Sequence, residues 1–138
     1  MQNLQINLLA VVVAGTATFA LGGLWYSPFL FGRAWVAALG LTPEQVAERR
    51  KSAGTAYAVT LLCWLVMAGA LSVLIHRIGI TTTPGGIKLA VLCWLGFAAT
   101  VGLSLHMFSQ RQLAVFLIDT SYQLTSLLVM GAILTRWQ

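Results

Sequence analysis

Apolar residues run in four long stretches, and the short segments between them gather nearly all of the charge. The stretches run from Ile6 to Tyr26, Ala53 to Ile75, Pro84 to His106 and Gln112 to Thr135. A helix needs roughly 20 mostly apolar residues to cross a bilayer, so each stretch has the length of one crossing. The pattern predicts an all-α fold: an integral membrane bundle of four transmembrane helices in a single domain over residues 1–138.

The breaks between stretches have their own signals. Trp25-Tyr26-Ser27-Pro28 ends the first span, because Pro stops a helix and Trp and Tyr favour the membrane–water boundary. The segment from Phe29 to Leu41 is too short to cross. Its apolar residues Phe31, Ala34, Trp35, Ala38 and Leu41 recur at helical spacing with Arg33 on another face, which predicts a short amphipathic helix in the interface plane. Thr42-Pro43-Glu44-Gln45 reads as a capping box, and no breaker follows before Gly54, so this helix is expected to continue into the second span. His76, Arg77 and Gly79 mark that span's end, and Thr83 and Pro84 open the third. Ser109-Gln110-Arg111-Gln112 reads as a second capping box, making spans three and four a tight antiparallel hairpin.

Composition agrees with a membrane location. The chain of 138 residues is 59% hydrophobic and 8% charged, against about 25% charged in soluble domains. The net charge of +5 is dispersed apart from Arg49-Arg50-Lys51. That triplet flanks a span, as cytoplasmic anchors do. No basic face with interleaved aromatics points to nucleic acid. Residues 1–7 contain no Lys or Arg, and the first stretch is too long for a signal peptide, so it is expected to remain as a span. Loop cations number five on one side (Arg33, Arg49, Arg50, Lys51, Arg111) and three on the other (Arg77, Lys88, Arg136), which predicts both termini outside the cytoplasm.

Small residues recur at four-residue steps in the first span: Ala10, Ala14, Thr18 and Gly22, with a parallel row of Gly15, Phe19 and Gly23. Such rows let helices approach closely in lipid, as ordinary packing or as a homodimer seam. Leu62-Cys63-Trp64-Leu65 recurs as Leu92-Cys93-Trp94-Leu95, with both tryptophans near mid-span and expected to pack inside with their N–H groups bonded. Cys63 and Cys93 read as small hydrophobes. With no Cys-x-x-Cys and no histidine pair, neither a metal nor a cofactor is expected.

The candidate chemistry centres on Asp119, the one carboxylate inside a stretch. An ionisable group there is costly and is by default a functional-site hypothesis. At about nine residues into the fourth span it would lie roughly 14 Å from the span's start. Tyr122, Gln123 and Ser126 share its helix face. Depth alone groups Thr18, Thr60, Thr100 and Ser104 with it, and places Trp25, Tyr26, Arg33 and His106 nearer the surface. Arg33 and Tyr26 are the expected partners of Asp119. A purely structural clamp competes with a ligand, ion or proton site. No paired acids, Ser-His-Asp set or phosphate loop suggests an enzyme.

Gly22-Gly23-Leu24-Trp25-Tyr26-Ser27-Pro28 with Leu30-Phe31-Gly32-Arg33-Ala34-Trp35, and Phe116-Leu117-Ile118-Asp119 with Tyr122 and the run Leu127 to Leu134, carry a family resemblance. Together they resemble the small four-span bacterial proteins called domain of unknown function family seventeen-sixty-one. The resemblance implies four spans and a bacterial inner membrane, and it implies no activity. Gln112 stands where the resemblance leads one to expect Pro. The expected function is a small transporter or ligand-binding module using Asp119. The alternative is a non-catalytic accessory or assembly subunit of a larger membrane complex. Lipid and further copies of the chain are the expected partners, and the alternative function adds another membrane protein.

Overall fold

The computed structural model describes residues 5–138. The first span is α1 (Leu8–Trp25), whose N-terminus is capped by the Asn7 side chain on the Ala10 N–H. Two short helices follow, α2 (Gly32–Leu39) and α3 (Pro43–Lys51), then the second span, α4 (Gly54–Ile78). The third span is composite: α5 (Thr83–Cys93), a π-helical segment (Trp94–Ala99) and α6 (Thr100–Ser109). The fourth is α7 (Leu113–Arg136). Four of these helical runs are long and apolar enough to cross a membrane.

Three local expectations change. The Thr42 capping box forms in full, but α3 stops at Lys51 and a turn at Ser52-Ala53 separates it from α4. Thr82, one residue earlier than expected, caps α5 through the Gly85 N–H. The second capping box does not form. Ser109 is the last residue of α6, and Gln112 precedes α7 without a side-chain cap.

The hairpin between α6 and α7 turns instead through Gln110, which has φ 54° and is the one non-glycine with positive φ among the described residues. A left-handed conformation costs an L-residue with a Cβ about 1–2 kcal/mol. Gln110→Gly is therefore expected to stabilise the protein by about 1 kcal/mol, read as a higher midpoint of thermal unfolding in detergent. Gln112 has φ −61° and ψ 143°, backbone angles that proline also adopts, so the departure from Pro leaves the turn intact.

Helix α7 is the centre of the bundle. It packs against α5 and α1, while α4 packs mainly on α1 and also touches α7. The first small-residue row of α1 is used within the chain, and the second is used at Gly15 but open at Gly23. Ala10, Ala14 and Thr18 are buried, and a Cβ on Gly22 would lie 2.5 Å from the Tyr122 hydroxyl of α7. Gly15 faces α4, where a Cβ would lie 3.1 Å from the Leu65 Cα. Helices α5 and α7 cross with backbones almost touching at Gly86 and Gly131. The core is a continuous cluster that includes Ala68, Leu71, Ile75, Ala90, Met130 and Leu134.

Exposed Leu, Val and Phe side chains cover the outside, such as Leu62, Val66, Leu92 and Phe97. A water-soluble monomer rarely carries so extensive an apolar surface. On spans of this length it is the surface that lipid covers.

Helices α4 and the third span barely touch each other. Between them lies an open groove of about 510 Å³ with α7 as its floor. The π-helical segment forms part of its wall through Phe97 and Ala98. A π turn breaks the regular backbone ladder. The Thr100 hydroxyl donates to the Gly96 and Phe97 carbonyls at 2.9 and 3.2 Å, which keeps backbone acceptors satisfied where lipid offers no donors.

Candidate functional site

Asp119 is the seventh residue of α7. Six rises of 1.5 Å put it about 9 Å from the helix start, shallower than the roughly 14 Å expected from nine residues, because only six residues of α7 precede it. It is level with the end of α1. There the Trp25 indole N–H donates to the Ile118 carbonyl at 3.2 Å. The Tyr26 hydroxyl donates to Asp119 Oδ1 at 2.7 Å, and the Trp35 indole N–H donates to the same oxygen at 3.0 Å.

The approach of Trp35 follows from the turn between α1 and α2. The Phe31 and Gly32 N–H groups bond back to the Trp25 and Ser27 carbonyls. A Cβ on Gly32 would meet the Ser27 carbonyl carbon at 2.8 Å, so only glycine fits this fold-back. Helix α2 then lies along the N-terminal part of α7 with Ala38 buried. Its Trp35 ring meets Tyr26 edge-on, with centroids 5.3 Å apart.

Below Asp119 the aromatic packing continues inward. Tyr122 is buried, and its ring lies 5.4 Å from Tyr26 and 5.3 Å from Trp64, edge-on to both. Its hydroxyl donates to the Thr18 carbonyl of α1 at 3.0 Å. Trp64 Nε1 and the Ser126 hydroxyl, both buried, have no hydrogen-bond partner among the described residues. The expectation that both mid-span tryptophans bond their N–H groups fails for Trp64 and holds for the half-buried Trp94, whose N–H donates to the Thr120 carbonyl at 3.0 Å and hydroxyl at 3.2 Å.

The structure thus brings together Asp119, Tyr26 and Tyr122, with Gln123 on the same stretch of α7. It does not bring in Arg33, which is exposed on α2 and forms no ion pair; Lys51–Glu48 is the one pair among the described residues. Trp35 takes the place expected of Arg33, because α2 presents its indole rather than its guanidinium to α7. Thr60 is exposed on α4, and Ser104 is exposed on α6. Thr100 is exposed and bonds its own helix. The depth argument failed for these three because it could not say which face of each helix meets α7.

Asp119 also lines an open pocket of about 240 Å³ between α6 and α7, where His106, Ser109, Arg111, Thr120 and Gln123 are the other polar groups and Leu105, Val115 and Phe116 form apolar wall. His106 stacks near Phe116, with ring centroids 5.4 Å apart. Both hydrogen bonds to Asp119 end on Oδ1, and Oδ2 accepts none from any described residue. Nor is Oδ2 among the buried unpaired atoms, so it keeps accessible surface on a residue that lines the pocket. Two donors on one oxygen fix the carboxylate's orientation. Among the described residues no group of His, Cys, Asp and Glu could hold a metal ion.

These features define a class: a multi-pass membrane protein built as an all-helical four-span bundle, with one acid at a polar cavity near one end. The family model described as "Protein of unknown function (DUF1761)" matches residues 9–135. The chain belongs to this family. No curated protein and no solved structure matches it.

Proposed function

We propose that the protein is a membrane ligand-binding module, working as a small transporter, whose site is the cavity beside Asp119. The observation that carries this reading is the division of labour on one carboxylate. Oδ1 is held by Tyr26 and Trp35, while Oδ2 takes no bond at a cavity wall shared with Arg111, His106 and Gln123. A clamp alone needs only the first oxygen. A site needs an oriented acceptor with free capacity, next to groups that can bind and release.

The cavity lies at the end of the bundle that carries the α6–α7 linker, and the short helices α2 and α3, which hold Arg33 and Arg49-Arg50-Lys51, belong to that same end by chain connectivity. We place this end in the cytoplasm of a bacterial inner membrane, with both termini outside, on the excess of loop cations. The site is one of binding and transfer, not of covalent catalysis. Because most of the small-residue surface of α1 is occupied within the chain, a homo-oligomer would assemble through the exposed apolar faces of α4 or the third span.

The test uses protein reconstituted into vesicles holding a pH-sensitive dye, with a proton gradient as the probe. Asp119→Asn keeps an oxygen that Tyr26 and Trp35 can bond, so the fold is expected to persist. Dye response is expected to fall to the level of empty vesicles. An unchanged response in the Asn variant would remove Asp119 from any proton-coupled transport role. One observation favours the accessory-subunit alternative: the third span is the least buried of the four. Co-purification of one stoichiometric membrane partner in mild detergent, together with unchanged dye response, would select it.

A further inference from the structure

Two cavities that look separate in character are joined in space. The polar cavity at Asp119 and the apolar groove between α4 and the third span share Gly102, Leu105 and Gln123 as lining residues. The groove's other walls are apolar side chains such as Leu71, Leu74 and Val101. Its volume of about 510 Å³ falls within the roughly 300–1,000 Å³ of small-molecule sites. A polar compartment therefore opens sideways into a channel that faces the hydrocarbon of the membrane.

The polar compartment carries one charge of each sign. Arg111 and Asp119 both line it and do not pair with each other. An unpaired acid and an unpaired base facing one small cavity complement a molecule that carries both charges. Arg111 offers a forked donor suited to a phosphate. The open oxygen of Asp119 offers an acceptor suited to an ammonium. His106, Ser109 and Gln123 add neutral polar contacts around the same space.

Resting on the reading of Asp119 as a ligand site, we infer that the ligand is a zwitterionic phospholipid with an ammonium–phosphate headgroup. The phosphate meets Arg111, the ammonium meets Asp119, and one acyl chain lies in the groove between α4 and the third span. An anionic lipid would satisfy Arg111 but repel Asp119. An uncharged diacylglycerol would fill the groove and satisfy neither.

The probes are dioleoyl phosphatidylethanolamine, dioleoyl phosphatidylglycerol and dioleoylglycerol, each added in turn to the full chain in detergent and read by native mass spectrometry. The ethanolamine lipid is expected to be retained roughly tenfold or more over the other two. Arg111→Gln should lower retention of both phosphate-bearing lipids. Asp119→Asn should erase the preference for ethanolamine over glycerol. Ala70→Trp, which fills the groove from α4, should weaken all three lipids. Size-exclusion profiles matching the unmodified protein establish that each variant is folded, and Arg111 is exposed, so its replacement leaves the packing untouched.

Equal retention of the ethanolamine and glycerol lipids by the unmodified protein would overturn the inference, as would retention indifferent to both Arg111→Gln and Asp119→Asn. The two levels of argument fail separately. Loss of dye response in Asp119→Asn without any lipid preference leaves the site standing and removes the phospholipid. A lipid preference that Asp119→Asn erases, with dye response unchanged, leaves the lipid site and removes transport.

Discussion

Gly131→Leu is expected to prevent the bundle from assembling. At this crossing α5 and α7 meet backbone to backbone: a Cβ on Gly131 would lie 2.7 Å from the Gly86 carbonyl oxygen and 3.3 Å from the Ala90 Cβ. The opposing Gly86 is equally constrained, with its own Cβ position 2.6 Å from the Gly131 carbonyl oxygen. Backbone atoms cannot swing aside as a side chain can, so the helices must separate. Overpacking a tight site costs typically about 1–3 kcal/mol and sometimes more. A branched side chain against backbone belongs at or above the top of that range, against a total stability of about 5–15 kcal/mol. Loss of helix contact also forfeits the close packing that holds helices together in lipid. Gly23→Leu is the matched control, because nothing lies within 4 Å of a Cβ there. In mild detergent, Gly131→Leu is expected to elute as aggregate and become sensitive to trypsin, while Gly23→Leu behaves as the unmodified protein. Similar behaviour of the two variants would contradict the close crossing.

The second large effect is expected at Tyr122. Its ring meets Trp25, Tyr26 and Trp64, at centroid distances of 6.2, 5.4 and 5.3 Å. Its hydroxyl ties α7 to the Thr18 carbonyl of α1. Tyr122→Ala removes a buried aromatic from the point where three spans converge. The expected cost is about 3–5 kcal/mol, the range for large-to-small aromatic truncation. Tyr122→Phe keeps the ring and loses only the hydrogen bond, at about 1 kcal/mol. Thermal unfolding followed by tryptophan fluorescence separates the two, since Trp25 and Trp64 lie against the altered ring. Equal midpoints for the Ala and Phe variants would mean that the ring contributes no packing. The Ala variant is also expected to loosen Tyr26, and through it the hold on Asp119.

Much of this architecture is legible in the sequence because the membrane leaves few alternatives. Spans must be helices or closed barrels, and four apolar runs with helix signals at their ends leave one reading. The caps on α3 and the breaks at Pro28 and Gly79 are written in local residue chemistry, and the structure follows them closely. The end of α3 was not legible: Ser52 and Ala53 are not helix breakers, and the chain turns there for reasons of position. The tight α6–α7 turn was read from the wrong signal. It rests on the left-handed Gln110, not on a side-chain cap.

The site was legible only along α7. Asp119, Tyr122, Gln123 and Ser126 sit on one helix, so their common face follows from helical period. Residues from other helices require the order of helices around the bundle, which a single sequence does not encode. Depth alone points to Tyr26, because the end of α1 and the start of α7 lie on the same side of the bundle. Trp35 was missed because an amphipathic helix was expected to turn its apolar face to lipid. The signal was present: a tryptophan carries an N–H that seeks a partner when buried, and the nearby acceptor is Asp119. Arg111 was counted as a topogenic charge, and nothing in its local sequence marked it as a cavity wall. The π-helical segment left no sequence mark beyond Trp94, whose indole reaches Thr120.

The central claim is that position 119 faces a water-accessible pocket between α6 and α7, entered from the end that bears Arg111. Thiol accessibility tests it directly, with Asp119→Cys made in a background where Cys63 and Cys93 are Ala. The protein is placed in vesicles of known orientation and treated with a membrane-impermeant charged maleimide. Labelling is expected from the face carrying the α6–α7 linker alone, and Ala70→Trp should leave it unchanged. Labelling only by a lipid-soluble maleimide, or equally from both faces, would place position 119 against acyl chains and contradict the account.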